Sequence, residues 1–582
     1  MSQKEDEMLE SFKVRALEIH DTHQMWSVEK MQRVFKFMLE NNMNTLIFHE
    51  NNIVDKVVWP GFVYGYDKDD LRSYSIYKEG LYRTIYDRTP SPYVFCDELM
   101  IFRDLMKTIV KQAKDLGIDM YFQTKEIWFP ELLYERQDLM KDGKMCPSES
   151  WWWEEFLPRK YEELMQNFPE LAGVITSTGT KESRISLAHH KCNCEKCRNM
   201  DPGQWQRNVL MGMYEPLHRH GKKLVARDFS YYADEQAGIR NGLLDLPEDV
   251  VICIKNVPQD YYQTFPNNDL IGKCGGHEQW VEYETFGEYY GWGITPVSMI
   301  EDMQYRLRHC LENGVQGVTT RIDWEAMPNY SVFESTSKVN LYAAAMISEN
   351  INTPARSIYE RWFKNDGLYK DDITPEEVKA CLDKAEEVFP KTWPVMAKTP
   401  FLKDAVFMNN CKIPVSFDCA EFISQEHHGI QKWFPQYRNH FDYTKEQAEA
   451  MLSEKDEALE EVKEIYRLWT KDGNPGFNDT FYAEMSQLFA LYIKYVELFR
   501  LVGHSYVIYK YCQKNNVSEN SPEEFSTLLD RQKSLVSDMK TLEEDLQSFD
   551  VPFRFQYPVL AMMNPERLRV FREDVEQYIE NL

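Results

Sequence analysis

Between residues 14 and 322, short runs of β-branched and apolar residues recur, and the stretches between them carry apolar positions at helical spacing. Eight runs read as strands: 14–19, 45–49, 118–123, 173–177, 223–229, 251–255, 279–284 and 316–322. Helical periodicity fills 28–41, 97–116, 153–168, 205–220 and 298–313. Strands alternating with helices are βα units, and their strands pair in parallel. Eight of them predict an α/β fold, a (β/α)8 TIM barrel over residues 13–350 behind a polar extension of residues 1–12. No clear helix falls between the sixth and seventh runs, and the loop after the second is long and aromatic.

Near residue 340 the pattern changes, and nearly everything beyond reads as helix, at 374–391, 443–471, 479–513, 521–549 and 564–580. Thr374-Pro375-Glu376-Glu377 and Ser521-Pro522-Glu523-Glu524 have the form of capping boxes with Pro at the first helical position. Asn564-Pro565-Glu566 is a third helix start. The expectation is an α-helical C-terminal domain over 351–582, with a surface on which a homodimer can form.

Charge narrows the function. Lys and Arg number 67 against 94 Asp and Glu, a net charge of −27, which excludes a binder of the nucleic-acid backbone. Apolar residues make up 43%, enough for large cores and too many for a disordered chain. No apolar run reaches the ~18 residues of a membrane span. Residues 1–10 are polar and acidic, without the basic and apolar segments of a signal peptide. Cysteines such as Cys253, Cys310 and Cys512 stand singly in apolar strings, the pattern of reduced thiols, and the expected location is the cytoplasm. No cofactor is implied, with one qualification. Cys192, Cys194 and Cys197, preceded by His189 and His190, have the composition of a structural zinc site, and equally of a loop of free thiols or a local disulfide.

In barrel enzymes the chemistry lies at the C-terminal ends of the strands. Here the first strand ends at Glu18, His20 and Asp21, the second at His49 and Glu50, and the third at Lys125 and Glu126. The fourth runs into Thr178-Gly179-Thr180-Lys181-Glu182-Ser183-Arg184, and the fifth carries Arg227 and Asp228. The sixth ends at Lys255 and leads to Asp260, the seventh carries Glu282 and Glu284 and leads to Glu288, and the eighth ends at Arg321, Asp323 and Glu325. These groups predict a polar pocket of mixed charge, with His20, Asp21, Lys125 and Arg321 among its substrate contacts. Its expected rim is aromatic: Tyr121, Trp128, Trp292 and Trp324. Carboxyl groups beside flat aromatic faces suit a sugar ring, and glycoside hydrolysis needs two carboxyl groups about the scissile bond.

The segment Lys255-Asn256-Val257-Pro258-Gln259-Asp260, followed by Glu284-Thr285-Phe286-Gly287-Glu288-Tyr289-Tyr290-Gly291, resembles the α-glucuronidases of glycoside hydrolase family 67. That family has K-N-x-P-x-D at one strand end and Q-E-Y-x-G at the next, and Glu288 follows Asp260 by 28 residues. Arg227-Asp228-Phe229 is similar to the family's R-A-F strand. The likeness is that of a distant relative in the same barrel superfamily. It implies an inverting barrel enzyme, with Asp260 and Glu288 as the general-base pair. Glu182 stands where the family has its general acid, in a changed motif, and Arg227 and Lys255 match basic residues that hold the sugar carboxylate. The family's lysine four residues before the acid is Thr178 here, and the family's N-terminal β-domain has no counterpart ahead of residue 13.

The expected function is therefore cleavage of a glycosidic bond with an acidic or other polar sugar in the −1 subsite. Two alternatives are a substrate-assisted N-acetylhexosaminidase and a carbohydrate-binding barrel without catalysis. The first normally shows adjacent acids after the fourth strand, and none stand there. The second has no need of the acids that are present.

Overall fold

The computed structural model describes residues 11–20, 25–58, 92–129, 133–134, 136–230, 232–327, 330–549 and 556–581, with backbone alone at 92–100 and 425–427. The chain divides into two compact units. One takes the described residues of Met1–Asn256, Asn268–Tyr283 and His309–Asn329; the other takes those of Val257–Asn267, Glu284–Arg308 and Tyr330–Leu582.

Eight parallel strands close into a barrel: β1 Val14–His20, β2 Thr45–His49, β3 Asp119–Thr124, β4 Gly173–Thr176, β5 Lys223–Arg227, β6 Val251–Lys255, β7 Gln279–Glu284 and β8 Gly317–Arg321. The ring runs β1-β8-β7-β6-β5-β4-β3-β2, and β8 closes it on β1 with Glu18 opposite Arg321. Strand residues are buried almost without alternation, as in parallel sheets covered on both faces. Ala16, Ile47, Tyr121, Ile175, Val225, Val251, Cys253 and Trp280 pack into one cluster inside the barrel. Trp280 fits because Gly317 stands beside it; a Cβ there would lie 2.6 Å from the indole.

The intervening helices are Val28–Glu40, Pro92–Asp115, Leu157–Asn167, Pro202–Arg219, Ala233–Leu244 and Ile300–Glu312. No helix lies between β6 and β7, in line with the sequence pattern. The helix Ala233–Leu244 has no counterpart in the periodicity because most of its positions are half-exposed and no apolar stripe develops. Its contact with the helix Pro202–Arg219 is made by glycines. A Cβ on Gly242 would lie 2.4 Å from the Gly203 carbonyl oxygen.

The second unit is helical, with Pro375–Val388, Lys445–Thr470, Asp479–Asn515, Pro522–Ser548 and Pro565–Glu580 as its long elements, joined by Lys338–Glu349 and Ala355–Asn365. Thr374 and Glu377 form the expected capping box, and the Asn564 side chain accepts from the Glu566 amide. Ser521 departs from expectation: it precedes its helix without a side-chain capping bond, its backbone turned to ψ 68°. Many aromatic residues of this unit are core, although Tyr305, Phe422 and Tyr557 are exposed. Trp469 stacks on Phe477 and Tyr482, with centroids 5.6 and 5.4 Å away. Among the described residues no helix is long and apolar enough to cross a membrane.

Candidate active site

Alternate strand residues point into the barrel. One step beyond the apolar floor, the inward positions become polar: Glu18, His49, Gln123, Ser177, Arg227 and Glu282. Arg227 meets Glu282 at two points, Nε to Oε1 at 2.5 Å and Nη2 to Oε2 at 2.7 Å, and its Nη1 donates to Ser177 Oγ at 3.0 Å. Both partners are buried, so the pair is held by its geometry and by further hydrogen bonds.

Glu18 Oε1 lies 2.8 Å from His49 Nδ1 and 3.5 Å from His20 Nδ1, and His20 Nε2 is 2.8 Å from Glu325. Burial and the Arg321 charge push the His20 imidazole down, but Glu325 and Glu18 outweigh them and raise it above its ordinary value. His49 goes the other way: burial, then the charge of His20, hold it well below its usual range. Burial works against ionised Glu18, yet the two histidines keep it well below the usual carboxylate range. Of the two imidazoles, His20 is therefore the one that takes up a second proton more readily.

The next step up gathers cations about one ring. Lys125, Arg227 and Lys255 lie 5.2, 4.8 and 4.4 Å from the centroid of Phe229. Lys125 is also 3.6 Å from Glu182, whose side chain is one-third exposed. Arg184, two residues on, lies over the Trp128 ring at 5.0 Å. The loop carrying Glu182 is pinned to the end of β3: the Gly179 amide and Ser183 Oγ donate to the Glu126 carbonyl, and the Arg184 amide to that of Ile127. Arg321 Nε donates to the Asp323 carbonyl, and its Nη2 is 3.3 Å from Glu325.

The strand-end acids Glu126 and Asp228 are buried among partners of their own. Glu126 accepts from Lys160 (2.9 Å), Tyr161 (2.6 Å) and the Trp128 amide (2.8 Å), and Lys160 also reaches Asp55 at 2.7 Å. Burial lifts Asp55 to about 7 despite the lysine. Asp228 accepts from Gln236 at 3.3 Å; burial, opposed by that bond and by Arg227, raises it to about 7.

In the helical unit, Asp260 has a left-handed backbone, φ 46°, and its Oδ2 accepts from Tyr289 at 2.6 Å. Burial, then the charges of Asp260 and Glu288, lift the phenols of Tyr289 and Tyr262 well above their usual range. Both therefore stay protonated beside the two acids. Glu288 is buried; its carbonyl accepts from Trp292 Nε1 at 3.0 Å and from Cys411 Sγ at 3.1 Å. Trp292 is 2% exposed, with φ 48°, and acts on Glu288 through that bond.

Of the residues expected at the site, Lys125, Glu182, Arg227 and Lys255 come together around Phe229, while His20 and Arg321 meet at Glu325. Asp260 and Glu288 share the neighbourhood of Tyr289. Asp21 lies outside the described residues. Tyr121 is corrected from rim to floor: inward alternation seats it in the barrel core, edge-on to Trp280 at 5.5 Å. The proposed thiol cluster is corrected as well. Cys192, Cys194 and Cys197 converge with Cys146, not with His190, whose Nδ1 lies 3.2 Å from Ser186 Oγ. Glu282 and Glu325 stood at strand ends in the sequence, but nothing there pairs them with Arg227 and His20. Cys146, a lone cysteine far upstream, carried no signal.

No protein-family model matches the chain, and no curated protein matches it. Solved structures do. A GH138 enzyme targeting pectin rhamnogalacturonan II superposes with a TM-score of 0.58 at 10% identity, over 92% of this chain and 62% of its own. An O-GlcNAc hydrolase mutant from Thermobaculum terrenum gives 0.42 at 14% identity, over 98% and 97%, and a GH20 exo-β-N-acetylglucosaminidase from Vibrio harveyi gives 0.36 at 12%, over 61% and 57%. The structural neighbours are barrel-fold glycoside hydrolases, and the chain is similar in fold to the GH138 enzyme while spanning about 62% of its length.

Proposed function

We propose that the chain is a glycoside hydrolase whose −1 subsite takes a uronic acid or another sugar bearing a polar or anionic group. The observation that carries the reading is the cluster about Phe229, where Lys125, Arg227 and Lys255 stand with the carboxyl group of Glu182 at the C-terminal ends of barrel strands. In this reading Lys125 and Lys255, the two lysines of that cluster, meet the sugar carboxylate. Glu182 protonates the leaving oxygen, and its partial exposure leaves the carboxyl group open to a substrate. Asp260 and Glu288 act as the base pair for the attacking water, and the Tyr289 phenol orients Asp260. Water attack without a covalent intermediate inverts the anomeric centre.

A panel of aryl glycosides, uronides and neutral sugars, with the product anomer followed by NMR, tests this. Cleavage of a uronide with inversion supports the reading. Glycan binding without cleavage of any member overturns it in favour of a binding barrel.

A further inference from the structure

We infer that Cys146, Cys192, Cys194 and Cys197 bind a single structural Zn2+ ion that clamps the loop after β3 to the loop carrying Glu182. The Sγ atoms of Cys146 and Cys194 lie 3.6 Å apart, those of Cys146 and Cys197 3.5 Å, and those of Cys192 and Cys197 3.5 Å. All four lie within 4.8 Å of one another. A tetrahedron with Zn–S bonds of about 2.3 Å has edges of ~3.8 Å, so the four thiols already stand close to the corners that zinc requires. Four sulfur ligands in that geometry are the donor set zinc selects over harder cations.

The ligands are held from outside. Cys146 directly follows the hairpin Met140–Lys141/Lys144–Met145, turned by Asp142 and Gly143 at φ 50° and 73°. Its amide donates to the Leu139 carbonyl, while Trp152 and Trp205 donate their indole N–H groups to the carbonyls of Cys146 and Pro147, each at 2.9 Å. Cys194 Sγ accepts from the Cys197 amide at 3.4 Å, a bond that steadies a thiolate and fixes its direction. Cys146, Cys192 and Cys197 are buried and Cys194 is half-buried, which gives an ion a path to the site.

Charge agrees. Each thiol loses its proton on ligation, so four thiolates about Zn2+ carry a net charge of −2. Lys144, Lys191, Lys196 and Arg198 all fall within two positions of a ligand in an otherwise acidic chain. The clamp has a clear object: between β4 and the short helix Glu195–Asn199 the chain forms only turns, and Glu182 lies in that stretch. A second tie between the same loops, Lys196 to Glu149 at 2.7 Å, is largely exposed at the lysine and cannot replace it. The inference is independent of any catalytic role for Glu182.

The test is metal analysis and native mass spectrometry of the full chain, purified under reducing conditions from zinc-supplemented cells without chelator. One zinc per chain is expected, lost in Cys146→Ser and Cys194→Ser and kept in His190→Ala. Where a serine variant fails to fold, the wild-type chain decides. Replacing zinc by Co2+ should give the strong charge-transfer absorption of a tetrathiolate site, and four thiols should become reactive to a thiol reagent only after chelation. Metal-free wild type, whether with free thiols or disulfides, overturns the inference. Iron in place of zinc, full zinc retention in folded Cys146→Ser, or zinc loss in His190→Ala does so as well.

Discussion

Arg227 on β5 and Glu282 on β7 meet across the interior of the barrel, over the intervening β6, as a buried ion pair with two hydrogen bonds. Removing one partner strands a charge, while replacing both by apolar residues removes charge and desolvation together. Arg227→Met is expected to cost about 3–5 kcal/mol. Arg227→Met with Glu282→Met should recover most of it. Denaturant unfolding of the two single variants and the double variant checks the cycle, and additive losses would show that the pair does not act as one unit.

Glu182→Gln should lower kcat/KM by about 10²–10⁴-fold on a substrate with a poor leaving group, and far less on an aryl glycoside whose leaving group needs no proton. Asp260→Asn and Glu288→Gln should lower it by a similar factor irrespective of the leaving group, because activation of water is needed for both. Full turnover in both base variants would remove them from the mechanism.

Asp228 sets a pH dependence of stability. Its carboxyl titrates near 3.8 when unfolded and at about 7 when folded. A raised folded value means that the native state holds the proton more tightly. Stability is therefore greatest below the unfolded value and falls as pH rises through the folded one. Asp228→Asn removes this loss and should gain ~2–4 kcal/mol over the wild type at pH 8, with little difference at pH 4. Unfolding curves across that range test it, and a variant that loses stability equally at both pH values would refute it.

Lys160 is buried between Asp55 and Glu126. Lys160→Met leaves two buried carboxyl groups without their cation and should destabilise the chain by about 3–5 kcal/mol. The effect should shrink as pH falls below about 7, where Asp55 takes up a proton. A pH-independent loss would point to packing instead.

Much of this molecule could be read without coordinates. The barrel strands and the long helices each announce themselves by a local period of apolar residues, and burial of one face enforces that period. The positions of Lys125, Glu182, Arg227 and Lys255 at strand ends follow from the same pattern. Among the features that escaped, two have plain physical reasons. The helix Ala233–Leu244 packs through glycines with no apolar stripe, and Ser521 adopts a backbone in which its side chain makes no cap.

The chain alone thus determined the order of elements, the acidic character and the residue types at the strand ends, because these depend on neighbours a few positions away. Only the tertiary structure decided which of those residues meet. Glu282 takes Arg227 from 55 residues away, and Cys146 joins a thiol cluster from 48 residues upstream. Lys125 stands 3.6 Å from Glu182, while Arg184 lies over Trp128. Such partnerships are set by closure of the barrel and by the directions in which its loops leave the strands, and neither is encoded in any local period.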